Sequence, residues 1–181
     1  AQKLRLLSTT LVDADCSLSV DKGRLLAPFR ANFAGGGTIQ GNFAVTPAGN
    51  KQADLALTYR SDNVNMLALS KDMGQNTLIS GTGTSNASFS SRQDHWEDWK
   101  TNVNGNFSCA VIDGKIKAAA NNVAEKTETS FKKLSLSATV INGIASCNDF
   151  IFKSPFCTMA GRGTLSLSTL GINARLILTV A

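Results

Sequence analysis

Side chains suited to catalysis are few in this sequence, and their spacing matches no active-site motif. His95 could act as a general base, but its neighbours supply neither a nucleophile nor a group to orient the imidazole. The segment from Gly35 to Gly41 is as rich in glycine as a phosphate-binding loop, yet it lacks the Lys-Ser or Lys-Thr ending and the following helix. A solvated histidine and a glycine-rich turn are the simpler interpretations, so we predict no catalytic residue and no enzyme.

Residues that could bind a metal ion are also poorly arranged. Asp13, Asp15 and Asp21 are close in sequence, but alternation sends Asp13 and Asp15 to one face of a strand, and no loop with calcium-site spacing surrounds them. A solvated strand face explains these carboxylates. No CxxC pair occurs among the four cysteines, and with a single histidine a zinc site is not expected. We predict neither a metal nor a cofactor.

The four cysteines leave two interpretations open. They are Cys16, Cys109, Cys147 and Cys157, and they can pair in three ways. The shortest separation makes a local bridge between Cys147 and Cys157 the best candidate disulfide. Four buried free thiols are the alternative, because cysteine often serves as a small apolar residue.

Two further features have both a functional and a structural interpretation. Trp96 and Trp99 stand at i and i+3 of an expected helix and so share one helical face. They could stack a sugar or lie in a membrane interface, but docking against the protein is the commoner use of such a pair. Arg162 could contact a lipid phosphate, and solvent exposure is the simpler expectation.

Charge and hydropathy limit the classes of partner. The 181 residues include 18 Lys plus Arg and 13 Asp plus Glu, a net charge of +5 that favours anionic partners. The basic residues are scattered and not interleaved with aromatic residues, so we predict no nucleic-acid partner. No run approaches the roughly 18 consecutive apolar residues of a spanning helix, and the N-terminus lacks a signal-peptide layout. Membrane contact would then come through parts of a full-length protein that this chain lacks.

The elements that would position any site are mostly strands. Apolar and polar residues alternate completely from Val12 to Val20, and the same period of two recurs along most of the chain. Turn signals separate about nine or ten such segments, and the predicted turns are Asp21-Lys22-Gly23, Gly35-Gly36-Gly37, Asp113-Gly114 and Asn142-Gly143.

Two short helices and one loop interrupt the alternation. The first helix is predicted from a cap at Asp62 or Asn63 to Gly74. The second begins after Ser90 or Ser91 and includes both tryptophans. Residues 118–130 carry no alternation and are predicted to be an exposed loop.

A sheet with one apolar face must cover that face, and two short helices are too little for so many strands. Either the sheet closes as a sandwich or barrel, or it curls into a groove whose apolar inside is open to a ligand. Small residues at many inward positions favour the groove, and a β-sandwich core remains the alternative. The candidate lipid-binding residues on this face are Val12, Cys16, Leu18, Val20, Leu25, Phe29, Phe33, Ile39, Phe43, Leu55, Leu57, Phe107, Val111, Leu134, Leu136, Val140, Leu165 and Leu167.

The order of these segments resembles the C-terminal region of AsmA-family proteins, relatives of TamB and of the bridge-like lipid-transfer proteins. The resemblance covers nearly the whole chain. It is carried by residues 12–18 with their hairpin to Phe33, by the block from Ala53 to Gly83, and by the tail, in which the similar stretches are Asn104-Gly105-Asn106-Phe107, Ile112-Asp113-Gly114-Lys115-Ile116, Phe131-Lys132-Lys133-Leu134, Asn142-Gly143-Ile144, Phe150-Ile151-Phe152-Lys153-Ser154-Pro155 and Gly161-Arg162-Gly163-Thr164-Leu165-Ser166-Leu167. The four cysteines and the polar segment 118–130 depart from the family pattern.

This resemblance implies an elongated, strongly curved antiparallel sheet, groove-like or taco-like, in one domain over residues 1–181, with any subdivision near 118–130. It implies a periplasmic location in a Gram-negative cell, with an inner-membrane anchor in the full-length protein. The implied role is non-enzymatic: binding or conducting phospholipid or another acyl lipid in transport to, or biogenesis of, the outer membrane. The alternative is a structural module with a closed β core that binds outer-membrane assembly proteins through its sheet edges.

Overall fold

The computed structural model describes residues 3–6, 9–49, 52–74, 78–93, 99–117 and 128–180. These ranges contain thirteen strands and two short helices. The strands are β1 (Lys3–Leu6), β2 (Thr9–Cys16), β3 (Ser19–Asp21), β4 (Arg24–Phe33), β5 (Thr38–Gly49), β6 (Gln52–Asn65), β7 (Leu78–Ile79), β8 (Thr82–Gln93), β9 (Asn104–Lys117), β10 (Glu128–Ile141), β11 (Ile144–Lys153), β12 (Cys157–Ser166) and β13 (Ile172–Val180). The helices are α1 (Met66–Asp72) and α2 (Trp99–Asn102).

All of these strands belong to one open antiparallel sheet. Eleven of them follow the order β1-β2-β4-β5-β6-β8-β9-β10-β11-β12-β13, while β3 pairs with β4 and β7 pairs with β9. Apart from the short strands β3 and β7, strands that are neighbours in this path also follow one another in sequence, so the sheet is a meander. The fold class predicted from the sequence is therefore confirmed: a mostly β protein built on a single curved antiparallel sheet with two short helices.

Strands β2 and β3 are two parts of one strand, separated where Pro28 faces them. Ser17 donates its N–H to the carbonyl oxygen of Pro28 at 3.2 Å. Because proline has no N–H to return to Ser17, the ladder breaks there, and pairing with β4 resumes at Ser19. The missing donor of Pro28 thus interrupts the neighbouring strand and leaves β4 itself continuous.

The register places apolar side chains of adjacent strands side by side on one face of the sheet, here called the apolar face. The opposite side is called the polar face. Thr58 lies on the polar face between Leu57 and Tyr59, and its cross-strand partners are Asn42 and Ser88. Two rows across six strands show the pattern on the apolar face: Ala27, Phe43, Leu57, Phe89, Gly105, Val140 and Phe29, Gly41, Tyr59, Ala87, Phe107, Ala138.

The sheet curls toward its apolar face. Phe43 of β5 and Leu167, just after β12, line the same cavity of about 330 Å³. Six strand-to-strand steps separate β5 from β12, namely those to β6, β8, β9, β10, β11 and β12. In a flat sheet these steps would cover about 29 Å, which is far wider than such a cavity. The two ends of this stretch must therefore bend toward each other.

Large and small side chains alternate along the row that begins at Phe29, and two aromatic rings of the apolar face lie over glycines. A Cβ atom on Gly41 would meet the carbonyl oxygen of Thr58 and would lie 2.5 Å from Cζ of Phe29. A Cβ atom on Gly105 would lie 2.8 Å from Cδ1 of Phe89. The rings therefore lie across the neighbouring strand, which keeps the apolar face shallow.

Replacing Gly41 by alanine is expected to lower the free energy of unfolding by about 1–3 kcal/mol, because the added methyl group must displace the Phe29 ring or the backbone of β6. The matched control is Gly171→Ala, since the nearest atom to a Cβ there is the Thr169 hydroxyl oxygen at 3.2 Å. We expect the control to change stability by less than about 0.5 kcal/mol. Urea unfolding followed by circular dichroism measures both. Equal effects at the two positions would contradict the close approach at Gly41.

The buried core formed by the described residues is small. It is a cluster of Val111, Phe131 and Phe152, and the rings of Phe131 and Phe152 have their centroids 5.5 Å apart. The accessible surface is 12016 Å², whereas a compact monomer of 19.1 kDa would expose about 8,400 Å². The described residues thus form one layer, and the closed β-sandwich considered as an alternative is not the arrangement observed.

Three of the four predicted turns are confirmed and one is wrong. Residues 35–37 lie in the turn that joins β4 to β5. Lys22 with Gly23 and Asn142 with Gly143 have positive φ values and reverse the chain. Asp113 also has a positive φ, 49°, but it lies inside β9, which continues to Lys117. The ladder with β10 keeps its register across this residue, with Ile112 opposite Lys133 and Gly114 opposite Phe131.

The predicted helices are present in shorter form. Helix α1 begins at Met66, and the Oδ1 atom of its cap, Asn65, accepts a hydrogen bond from the N–H of Ala68 at 3.1 Å. Strand β8 continues through Ser90 and Ser91, so the second helix is limited to α2. The predicted contacts of His95 and Trp96, and most of the predicted loop at 118–130, lie outside the described residues. Residues 128–130 begin β10.

Candidate functional site

The candidate site is the apolar face, and the register decides which predicted residues belong to it. The cross-strand pairs place the predicted residues of β3 to β12 on this face, from Val20 opposite Leu25 to Leu165 opposite Ala145. Val12 is an exception. It pairs with Asn32 on the polar face, whereas Leu11 pairs with Phe33 on the apolar face.

The wrong placement of Val12 has a local cause. Asp13 has a φ of 51°, and the register of β2 against β4 shifts between Val12 and Asp15. Such a bulge inserts one residue and reverses the side of every residue before it. Leu11 is accordingly buried and takes the role predicted for Val12.

One cavity on the apolar face lies beside α1 and is called the α1 cavity. It has a volume of about 370 Å³. Two α1 residues, Met66 and Leu69, form part of its wall. The apolar side chains of the sheet that line it are Phe33, Ile39, Tyr59, Val64, Phe107 and Val111. The α1 cavity therefore joins predicted site residues from three strands, β5, β9 and the end of β4, to a helix.

A second cavity, called the α2 cavity, lies at the other end of the strands and has a volume of about 330 Å³. Its lining includes Phe43, Leu55, Leu57, Phe89, Trp99, Val103 and Leu167. Backbone hydrogen bonds hold its rim: Val103 donates to Trp99, Gly143 to Val103, and Leu167 to Gly143, at 3.1, 2.9 and 2.9 Å. These bonds bring α2 and the residue after β12 to the same end of the groove.

The two cavities are parts of one surface. Leu57 lines the α2 cavity and Tyr59, the next residue of β6 on the same face, lines the α1 cavity. From Leu55 to Val64, which line the two cavities, β6 advances nine residues, or about 30 Å. That length is comparable to the hydrocarbon thickness of a bilayer, about 30 Å. Apolar side chains line most of this distance, and the hydroxyl groups of Ser61 and Ser85, which are hydrogen-bonded to each other, also line it.

At the N-terminal side of the sheet the apolar face is open to solvent. Leu18 and Val20 are each 68% exposed, and Cys16, opposite Phe29, is also exposed. At the other side β13 continues the face with exposed apolar residues, which are Ile172, Leu176, Leu178 and Val180. The described residues supply no second layer over these positions.

Several site residues were not in the predicted set. Tyr59 continues the alternation of Leu55 and Leu57, so the period of two could have found it. Met66 and Leu69 stand at i and i+3 of α1, a spacing that puts two side chains on one helical face. Their contact with the sheet depends on where α1 packs, which the sequence pattern does not specify.

Charged side chains around the groove form pairs on the polar face. Arg92 donates to Asp54 at 2.7 Å across β6 and β8, and Arg60 donates to Asp62 at 2.8 Å along β6. Hydrogen bonding to these guanidinium groups lowers the pKa of Asp54 and of Asp62 below their ordinary values. Within the described ranges, no three His, Cys, Asp or Glu side chains come together as a metal site.

All four cysteines are free thiols. Cys147 pairs across strands with Gly163, six residues beyond Cys157 on β12. That offset is about 20 Å along a strand, whereas a disulfide needs Cα atoms within about 7 Å. The predicted bridge between Cys147 and Cys157 is therefore wrong.

Cys109 lines the α1 cavity, and burial raises the pKa of its thiol. We expect Cys109 to react with a thiol reagent at pH 8 roughly tenfold more slowly than the exposed Cys16, because less of it is thiolate and access is restricted. The rate at Cys109 should rise as the pH is raised, because more of the thiol becomes thiolate. Peptide mass spectrometry after timed alkylation measures both rates. Equal rates at pH 8 would contradict the burial of Cys109.

Neither described helix has the length and apolar character needed to span a membrane. Comparison of the chain with protein-family models, with curated proteins and with solved structures finds no match.

Proposed function

We propose that this chain is a non-enzymatic lipid-binding module whose curled apolar face holds acyl chains. The observation that carries the proposal is a single-layer sheet whose apolar face contains two adjoining apolar cavities and is open at both sides. Monomeric proteins rarely leave such a surface without a partner. Each methylene group that leaves water for this face contributes about 0.8 kcal/mol.

The mechanism proposed for this surface is passive. Acyl chains lie along the shallow apolar face, where aromatic rings lie over glycines of the neighbouring strand and leave the groove open for movement along it. Head groups remain in water at the open sides, and no residue performs chemistry. This arrangement suits conduction as well as storage, in agreement with the resemblance to the AsmA and TamB proteins. The proposed setting is the Gram-negative periplasm, in transport of phospholipid to, or biogenesis of, the outer membrane.

The direct test is mass spectrometry of organic extracts of the purified protein, followed by titration of the delipidated protein with a phospholipid carrying a fluorescent acyl chain. We expect co-purified phospholipid and saturable binding. A protein that is purified without lipid and does not bind the fluorescent phospholipid would refute the proposal.

A second candidate is an assembly module that pairs with β-rich proteins through its edges. The observation in its favour is β13, an edge strand in which every residue is exposed. Exposed apolar edges readily accept another strand. If this candidate is correct, added lipid leaves the protein unchanged, and substituting proline for Arg175 in β13 abolishes binding of the partner protein.

A further inference from the structure

The polar face of the last four strands contains two pairs of like charges. Lys133 of β10 stands directly opposite Lys153 of β11, and Arg162 of β12 stands directly opposite Arg175 of β13. Like charges at directly opposite positions destabilise a sheet. The sequence therefore keeps two unfavourable pairs on one side of a four-strand segment.

These four cations lack neutralising partners among the described residues. The four are exposed, and the ion pairs of the described chain involve other basic residues. The carboxylate of β11, Asp149, accepts hydrogen bonds from the N–H and the hydroxyl of Ser137 instead. The cross-strand neighbours that continue the row of Lys133 and Lys153 are Ile112 and Thr158, which are uncharged.

Apolar side chains stand in solvent beside these cations. Ile177 lies two residues after Arg175 on the same face and is 59% exposed. Phe156 is 75% exposed in the corner that follows Lys153. Within this corner the hydroxyl oxygen of Ser154 accepts from the N–H of Phe156 at 3.3 Å and from that of Cys157 at 3.0 Å. The turn thus satisfies its own backbone and presents Phe156 outward.

We propose that the polar face of β10–β13 binds the surface of a bilayer that contains anionic phospholipid. Lys133, Lys153, Arg162 and Arg175 contact lipid phosphates, which relieves their mutual repulsion, and Phe156 enters the head-group region. Cations combined with exposed apolar side chains are the features of interfacial membrane binding. A soluble polyanion would use the charges alone, so Phe156 and Ile177 favour a bilayer. This surface is on the side of the sheet opposite to the acyl-chain groove and is independent of it.

The test is flotation of the whole chain with vesicles of phosphatidylcholine containing 30% phosphatidylglycerol, compared with pure phosphatidylcholine vesicles. We expect the double variant Lys133→Gln/Arg175→Gln to bind the anionic vesicles about thirtyfold more weakly, or about fivefold for each cation removed. Each substitution breaks one like-charge pair, so the variant should be at least as stable as the wild type. The matched control Lys22→Gln/Lys100→Gln loses the same charge away from this face and should bind almost normally.

A second variant, Phe156→Ser, examines the apolar component. It is expected to weaken vesicle binding while leaving all charges in place. The proposal is overturned if the wild type binds both vesicle types equally, or if the matched control loses as much affinity as the double variant. It is also overturned if Phe156→Ser has no effect and heparin binds as tightly as the vesicles. Binding of a fluorescent phospholipid by the double variant reports on the groove separately, and we expect it to be unchanged.

Discussion

Replacing Leu57 by aspartate is expected to reduce the phospholipid bound per protein at least tenfold. Leu57 lies between Phe43 and Phe89 on the apolar face and lines the α2 cavity. A carboxylate there would lose its water against an acyl chain and gain no hydrogen-bond partner, which is strongly unfavourable. Mass spectrometry of extracts from equal amounts of protein measures the loss.

The matched control for Leu57→Asp is Thr58→Asp. Thr58 is the next residue of β6 and is exposed on the polar face, so it receives the same charge without contacting the groove. We expect normal lipid content in this variant, and a decrease in unfolding free energy of only about 1–2 kcal/mol for Leu57→Asp itself. Equal lipid content in the two variants would show that acyl chains do not lie on this face.

Replacing Phe131 by alanine is expected to lower the free energy of unfolding by about 3–5 kcal/mol. Its side chain is only 2% exposed and packs against Phe152 and over Gly114. In a single-layer sheet with a small core, this cluster contributes an unusually large share of the buried apolar contacts. Urea unfolding monitored by circular dichroism gives the change.

Phe156→Ala is the control for Phe131→Ala, because Phe156 is three-quarters exposed. We expect the control to stay within about 0.5 kcal/mol of the wild type. A similar loss in the two variants would mean that the cluster around Phe131 does not stabilise the sheet. Together with Leu57→Asp, this pair separates the part of the molecule that maintains the fold from the part proposed to hold lipid.

The choice between a lipid-binding module and an assembly module depends on what covers the apolar face. In the lipid-binding case, occupied protein should protect Cys109 in the α1 cavity from alkylation, since the thiol lies where an acyl chain would pass. In the assembly case, protection would appear along β13 when the partner binds. Because β13 contains no cysteine, its protection is measured by amide hydrogen exchange, which together with the alkylation of Cys109 distinguishes the two cases.

Strand positions were predicted well where turns and alternation agree. Strand β11 begins at Ile144, directly after the predicted turn at Asn142-Gly143. Positive φ at Asn142 and Gly143 allows the chain to reverse locally, and the alternation on each side fixes the faces. Most of the candidate face followed from the same two signals.

The failures at Asp13 and Asp113 have one physical reason. Both residues have a positive φ inside a strand, and the local sequence does not distinguish this from regular strand at Asp13 or from a hairpin turn at Asp113. At Asp113 the chain continues because β9 is paired with β8 on one side and with β10 on the other. At Asp13 a bulge places the side chain of Leu11, and not that of Val12, on the apolar face.

By itself, the sequence determined that this protein is a meander of amphipathic strands with one apolar face, because period-two alternation and turn residues act between near neighbours in the chain. Only the tertiary structure decided that the sheet stays a single layer, that it curls until Phe43 and Leu167 line one cavity, and that Lys133 and Arg175 join one basic face. These features arise from bulges and from cross-strand contacts between residues far apart in sequence. Local sequence patterns do not identify which residues will pair in this way.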